Sequence, residues 1–176
     1  MKQGNQIPQT SLKSTISVTT PSAPPKKVKL PNFDRSTVLG YSYTLFSVPN
    51  HLWKAVEAGS GGSLYNVVVT NDEVSKSLLK GRAFDRKVTF LPLNRIKPKF
   101  IPQYKIDKAK RIAESFNSML YVPSSDDVCT PVMPNLKVVR DFVLGGYVIC
   151  TNVEAANRIA FNPECEMMYV SIYLES

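Results

Sequence analysis

The chain has 176 residues, 43% of them apolar and 10% aromatic, with a net charge of +8 and a pI near 9.4. That suffices for one ordinary domain or two small ones around a real core, and it suits an anionic partner. No apolar run nears the ~18 residues of a membrane span, the first residues do not read as a secretory signal, and three scattered cysteines with His51 as the only histidine build no zinc site.

Residues 1–31 read as a disordered tail, rich in Pro, Ser and Thr and free of acids. Within it, "PPKKVKL" places Lys26, Lys27 and Lys29 beside prolines, the pattern of a nuclear import signal or of a plain solvated lysine cluster. Order is expected from about Phe33. "VLGYSYTLFSV" (38–48), rich in β-branched and aromatic residues, predicts a strand. A short helix follows over "HLWKAVEA", ended by Gly59, Gly61 and Gly62. "SLYNVVVT" (63–70) predicts a strand covered on both faces, and Thr70, Asn71 or Asp72 caps the next helix, which ends at Gly81. "KVTFLPL" (87–93) predicts a strand whose Pro92 sits at an edge or bulge. An extended "IKPKFIPQ" then leads into a helix over 106–117.

The second half echoes the first. "NLKVVRDFVLGGYVICTNVEAANRIAF" (135–161) runs helix, Gly-Gly, apolar strand, Thr-Asn, helix, and its glycine pair lies 84 positions after Gly61 and Gly62. "MMYVSIYL" (167–174) then takes the place of "KVTFLPL". The order predicts two related α/β lobes with strands at 63–70 and 147–151 in their cores.

The glycines do not form a phosphate cradle. Such a loop joins a strand's C-terminal end to a helix N-terminus, where free N–H groups meet the anion. Here Gly61, Gly62, Gly145 and Gly146 follow a helix and precede a strand, at the wrong pole of the dipole. Their expected role is sharp reversal and close packing, within the chain or at a dimer interface. Nor does a catalytic constellation emerge: His51 has no nucleophile or orienting acid in a recognisable motif, and the adjacent Asp126 and Asp127 would point to opposite faces of a strand. The reading therefore expects no enzyme, no cofactor, no metal and no small-molecule substrate.

Charge is uneven. Residues 76–111 carry twelve Lys/Arg against Asp85 and Asp107, a net of +10, while residues 112–176 carry three against eight acids, a net of −5. Arg86, Lys87, Arg95, Lys97, Lys99, Lys105, Lys108, Lys110 and Arg111 form a candidate stripe for DNA backbone, with Phe100 and Tyr104 available for base stacking. The opposite signs equally fit one molecule's basic lobe meeting another's acidic lobe.

The blocks "FDRSTVLG" (33–40), "AGSGGSLYNVVVTNDEVSKSLL" (58–79), "RKVTFLPLNRI" (86–96) and, more loosely, "FVLGGYVICTNVEAANRIAF" (142–161) resemble the hinge domain of structural maintenance of chromosomes (SMC) proteins, in particular the condensin subunit of the type-two class. The resemblance covers roughly 33–174. It implies an α/β fold of two related lobes with mixed sheets after the tail, divided as lobe I (32–96), connector and helix (97–118) and lobe II (119–176). It also implies pairing with another SMC hinge, like or unlike, weak sequence-independent DNA binding, a role in chromosome organisation and a nuclear or chromosomal location, with the cytoplasm as an alternative. The family's hinge sits between long coiled-coil arms and continues into a glycine-rich segment after its last strand. This chain shows no sustained heptads and stops at "SIYLES", so lobe II is expected to be shortened. The alternative reading is a stand-alone basic nucleic-acid-binding protein that does not dimerise.

Overall fold

The computed structural model describes residues 34–80, 87–166 and 169–172. Lys26, Lys27, Lys29, Gly81 and Arg86 lie outside that set. In chain order, β1 (Val38–Tyr41) and β2 (Phe46–Ser47) precede α1 (Trp53–Ser60), β3 (Val67–Val69), α2 (Asp72–Lys80) and β4 (Phe90–Pro92). Then come α3 (Gln103–Ser115), β5 (Leu120–Tyr121), β6 (Thr130–Pro131), α4 (Lys137–Leu144), β7 (Tyr147–Cys150), α5 (Val153–Ala160) and β8 (Tyr169–Ile172).

Two of the sheets have the same design. In β1-β3-β4 the central β3 pairs antiparallel with β1 and parallel with β4; in β5-β7-β8 the central β7 pairs antiparallel with β5 and parallel with β8. Each central strand is preceded by one helix and followed by another, capped in the same way. Asn71 Oδ1 accepts from the Val74 N–H at 3.0 Å, and Asn152 Oδ1 accepts from Glu154 and Ala155 at 2.7 and 3.3 Å. These side-chain caps satisfy helix donors that lack intrahelical partners. The two lobes expected from sequence are thus present, and their strands and helices are mixed α/β as expected.

The glycine pairs, however, do not occupy matching places. The capping asparagines lie 81 positions apart, against 84 for the glycines. In the first lobe the pair opens a 3-10 turn over Gly61–Tyr65 that precedes β3, whereas β7 begins directly after Gly146. That turn also shortens the strand expected over 63–70 to Val67–Val69.

The strand expected over 38–48 is broken in two. Gly40 takes φ +123°, a 3-10 turn covers Ser42–Thr44, and the Thr44 hydroxyl donates to the Tyr41 carbonyl at 2.8 Å. The bend follows from length, since β3 offers only three residues to pair with. After the turn the chain leaves the first sheet and pairs across the molecule, Phe46 opposite Pro131 and Ser47 opposite Thr130, with the Val132 N–H donating to the Leu45 carbonyl at 2.9 Å. This two-stranded ribbon joins the lobes.

Alternation along the central strands divides their side chains between layers. Val67 and Val69 pack on Leu78 of α2, while Val148 and Cys150 pack on Ala109 and Ala113 of α3 and Ala156 and Ile159 of α5. The opposite faces, Val68 and the pair Tyr147 and Ile149, meet in one cluster with Leu52, Val56 and Leu64 from the first lobe and Leu136, Val139 and Leu144 from the second. The lobes therefore share their largest core.

Tyr147 is the key of that joint. It is 2% exposed, and its hydroxyl lies 2.9 Å from Ser60 Oγ and donates to the Val56 carbonyl at 3.2 Å, both on α1. Burial pushes its ionisation well above the usual phenol range, so it is a neutral donor throughout ordinary pH. Gly59 makes room: a Cβ there would run into the Tyr147 ring. Ser171 of β8 adds a second tie, donating to the Ala55 carbonyl at 2.8 Å.

Glycine substitutions separate the two pairs. A Cβ on Gly145 would collide with the carbonyl oxygens of Lys99 and Asp141, which are backbone and cannot swing aside, whereas one on Gly62 meets nothing within 4 Å. Gly145→Ala is expected to lower unfolding free energy by about 3 kcal/mol, the upper range for overpacking. Gly62→Ala should stay within about 0.5 kcal/mol of the parent, as surface changes do. Urea unfolding followed by circular dichroism measures both.

Candidate interaction surfaces

The predicted basic residues are spread over several elements. Lys87 is exposed just before β4, and Arg95 just after it bonds Asp72 at 3.2 Å. Lys97 and Lys99 are exposed in the segment leading to α3, where the Lys99 ammonium sits 5.2 Å from the centre of the Phe142 ring, a cation–π contact. On α3, Lys110 and Arg111 are exposed, as are Phe100 before the helix and Tyr104 within it.

Besides Arg95, two more of the cations are already paired with acids. Lys105, its side chain only 16% exposed, lies 3.6 Å from Glu166, and Lys108 lies 2.5 Å from Glu164. The Lys108 ammonium also holds the Glu164 carboxyl below its ordinary value, first by hydrogen bond and then by charge. These acids belong to the loop after α5, more than fifty residues along the chain, so no local pattern announces them. Lys105 and Lys108 pin that loop to α3, which leaves Lys97, Lys99, Lys110 and Arg111 as the more open part of the stripe.

A second surface was missed from sequence. Tyr43 stacks on Tyr41, with ring centres 5.8 Å apart and planes 14° off parallel, and it meets Tyr65 at 6.0 Å and Trp53 edge-on at 6.4 Å. Tyr41, Tyr43 and Tyr65 are all exposed. Their only linear signal is "YSY" inside a segment read as one strand, which gives no sign that Tyr65 and Trp53 join them. Gly62 lies alongside, and there is open space where the Cβ atoms of Gly61 (φ +53°) and Gly62 would be. Gly145 and Gly146 sit elsewhere: a Cβ on Gly145 would run into the Lys99 carbonyl, and one on Gly146 would meet the Lys99 stem at an ordinary 3.6 Å.

Two polar clusters fix the loops that carry these surfaces. Asp72, at the start of α2, accepts from Asn94 Nδ2 at 2.8 Å, Lys76 at 3.0 Å and Arg95 at 3.2 Å, while its own N–H donates to Asn94 Oδ1 at 3.1 Å. This clasp gives "LNRI" its role: it ties the exit of β4 to the helix above. In the second lobe, Arg140 is buried and donates to Asp141 Oδ1 at 2.9 and 2.8 Å, to the Cys129 carbonyl at 2.9 Å and to Asp126. A buried guanidinium needs such partners to offset its desolvation. The contacts anchor residues 126–129 just before β6, the strand that joins the lobes. Burial pushes the Cys129 and Cys150 thiols up to about 11, and all three cysteines are buried and reduced.

Two lobes with matching sheets, joined by a short ribbon and a common core, define the class: a two-lobed SMC hinge. A family model described as "SMC proteins Flexible Hinge Domain" matches residues 35–160. The chain belongs to this family. It is 32% identical over 146 residues to structural maintenance of chromosomes protein 2-1 of Arabidopsis thaliana, covering 80% of this chain and 12% of that protein. To the protein 2 homologue of Homo sapiens it is 30% identical over 135 residues, covering 74% of this chain and 11% of the relative. The chain thus spans about an eighth of the length of these curated relatives. Among solved structures it is similar to the asymmetric dimer of the Geobacillus stearothermophilus SMC hinge domain, with TM-score 0.63 and 19% identity over 80% of this chain and 53% of that one. It is also similar to the Pyrococcus furiosus SMC hinge domain, with TM-score 0.52 and 27% identity over 68% of this chain and 58% of that one.

The Asp72 clasp has a pH signature. Hydrogen bonds from Asn94 and Lys76 hold its carboxyl far below the ordinary range, so the clasp stabilises the fold fully above about pH 4, the value for an unfolded chain, and fades as pH falls toward the folded value. Asp72→Ala should lower the thermal midpoint at pH 7, and the gap from the parent should narrow steadily as pH falls from about 4 to about 2. Thermal melts across that range check it; a gap that stays constant to pH 2 contradicts the clasp.

Proposed function

We propose that this chain acts as a dimerisation module of a condensin-type SMC assembly. It pairs with another SMC hinge, its own copy weakly or a different SMC subunit strongly, and binds DNA weakly without regard to sequence. The observation that carries the reading is the family match over residues 35–160, most of the described chain, in a fold whose two lobes repeat one sheet design. The Geobacillus stearothermophilus neighbour is a hinge dimer, which supports pairing here. The chromosomal relatives support a place in the nucleus, at the chromosome, and Lys26, Lys27 and Lys29 are the proposed import signal.

The proposed DNA surface is the open part of the basic stripe, Lys97, Lys99, Lys110 and Arg111, with Phe100 and Tyr104 beside it. Lysine and arginine there neutralise phosphates and release counterions, which makes binding steeply salt-dependent and blind to sequence. Lys105 and Lys108 contribute less, because Glu166 and Glu164 already neutralise them. Gly61, Gly62, Gly145 and Gly146 are proposed to lie near contact surfaces, Gly61 and Gly62 as sites open to a partner's backbone.

Light scattering of the chain alone, and mixed with the hinge of the other SMC subunit of a condensin pair, is expected to show a dimer. Monomers in both samples at high concentration would refute the reading and favour a non-pairing nucleic-acid-binding protein. For DNA, log K should fall against log salt with a slope of roughly −3 to −4 if about four phosphates are engaged. Lys97→Glu/Lys110→Glu/Arg111→Glu should abolish that binding while pairing persists, as measured by fluorescence anisotropy and light scattering.

A further inference from the structure

We infer that Glu164 and Glu166 are a built-in competitor for nucleic acid: they occupy Lys105 and Lys108 in place of phosphates and hold the DNA affinity of α3 below what its cations would give. The inference rests on the weak DNA binding proposed above and concerns its regulation. Lys105 and Lys108 stand three positions apart on α3, so they share a face. With Tyr104, Pro163, Glu164 and Glu166 they line a cleft of about 470 Å³. An adjoining cleft of about 350 Å³ contains Lys99 and Phe100 and shares Lys105 and Glu166, so the paired lysines are continuous with the open part of the stripe. Tyr104 and Phe100 are exposed beside them, as rings that stack on bases must be. The cleft therefore has the parts of a single-strand site, with carboxylates standing where phosphates would go.

The build of the loop favours a displaceable plug over a structural tie. Its backbone is held without the glutamate side chains. Asn162 Oδ1 accepts from the Glu164 N–H at 2.8 Å, and the Asn162 carbonyl accepts from Cys165 and Glu166 at 3.0 and 3.1 Å. Cys165, between the two acids in sequence, is buried. The carboxylates stand further into solvent than their partners: the Glu166 side chain is 77% exposed against 16% for Lys105, and that of Glu164 is 68% exposed against 41% for Lys108. An ion pair open to water is weak, so a phosphate can take the acid's place, unlike in the enclosed Arg140 network. Glu166 also takes φ +38°, a conformation that favours glycine, and a side chain kept there under strain points to a use for its charge. The six cations of residues 97–111, less Asp107, balance the −5 of residues 112–176. The cations of α3 are thus matched by acids of their own lobe, and Glu164 and Glu166 are the two that reach them.

Four variants of the full chain test this. Glu164→Gln/Glu166→Gln removes charge at two exposed side chains, so the fold is kept. Glu114→Gln/Glu154→Gln, at two other exposed glutamates of the same lobe, changes the net charge equally without touching the lysine pairs. The third is Lys105→Gln/Lys108→Gln, and the fourth combines it with the first. Fluorescence anisotropy with a labelled single-stranded 30-mer at several salt concentrations reads affinity and slope. Glu164→Gln/Glu166→Gln is expected to bind about 10-fold tighter than the Glu114/Glu154 control at low salt. Its plot of log K against log salt should be steeper by about 1.4, or about 0.7 for each of two added phosphates. The lysine variant should be nearly silent in the parent and should erase the gain in the combined variant, a coupling that additive charge effects do not give. If the parent binds and the glutamate variant binds no tighter than the control, the plug is refuted while the DNA reading stands. A gain that survives loss of both lysines also overturns the inference, since the acids then act through overall charge. So does a lysine variant that weakens the parent just as strongly, since both cations are then already on the DNA. Failure of both the parent and the glutamate variant to bind overturns the inference together with the proposed DNA binding; binding by the glutamate variant alone supports the inference.

Discussion

The contact of Tyr147 with α1 is the constraint on which the rest of the molecule depends. Each sheet is very small, with a central strand of three or four residues, and such sheets are not stable alone. They persist because the face of each central strand that does not carry an outer helix is buried against the other lobe. Tyr147 fills that space, and its hydroxyl is satisfied by Ser60 and Val56, so no polar atom is stranded in the shared core. The absence of a side chain at Gly59 is what lets the ring in. The ribbon of β2 and β6 and the Ser171 bond to α1 close the same joint from other sides.

From this follows a division of labour among surfaces. Inner faces make one core, outer faces carry α2 on one lobe and α3 with α5 on the other, and what remains for partners is the ends of the sheets and the basic segment between lobes. The polar clusters serve that arrangement. Asp72 with Asn94 fixes where the chain leaves β4, and Arg140 fixes where it enters β6. Neither resembles a catalytic group in setting: Asp72 is held as a carboxylate by donors, and Arg140 is enclosed by acids and a carbonyl.

Much of the fold was legible in the sequence because its signals are local. Asn71 and Asn152 cap helices as the Thr-Asn steps suggested, the Val67–Val69 run is buried on both faces, and the echo of the two halves reflects a real repeat of sheet order. What stayed hidden depends on distant partners. The break at Ser42–Thr44 depends on β3, a three-residue strand some twenty-five residues later, and on the β6 segment waiting across the molecule. The engagement of Lys105 and Lys108 depends on acids beyond α5. The equal look of the glycine pairs was misleading for the same reason: Gly145 is required by the Lys99 carbonyl, while nothing in the chain presses on Gly62. The tyrosine cluster was unreadable because alternation along one unbroken strand puts Tyr41 and Tyr43 on one side, but says nothing about Tyr65 or Trp53 joining them.

The burial of all three thiols has a practical bearing. Cys129 and Cys150 are enclosed and resist ionisation near neutral pH, and Cys165 is enclosed as well. Since the thiolate is the species that reacts, maleimide dyes and bifunctional cross-linkers will pass over the native sulfurs of the folded chain. A cysteine introduced at a solvent position therefore becomes a single addressable handle, so that distances between two joined hinges can be read spectroscopically with the natural residues left in place.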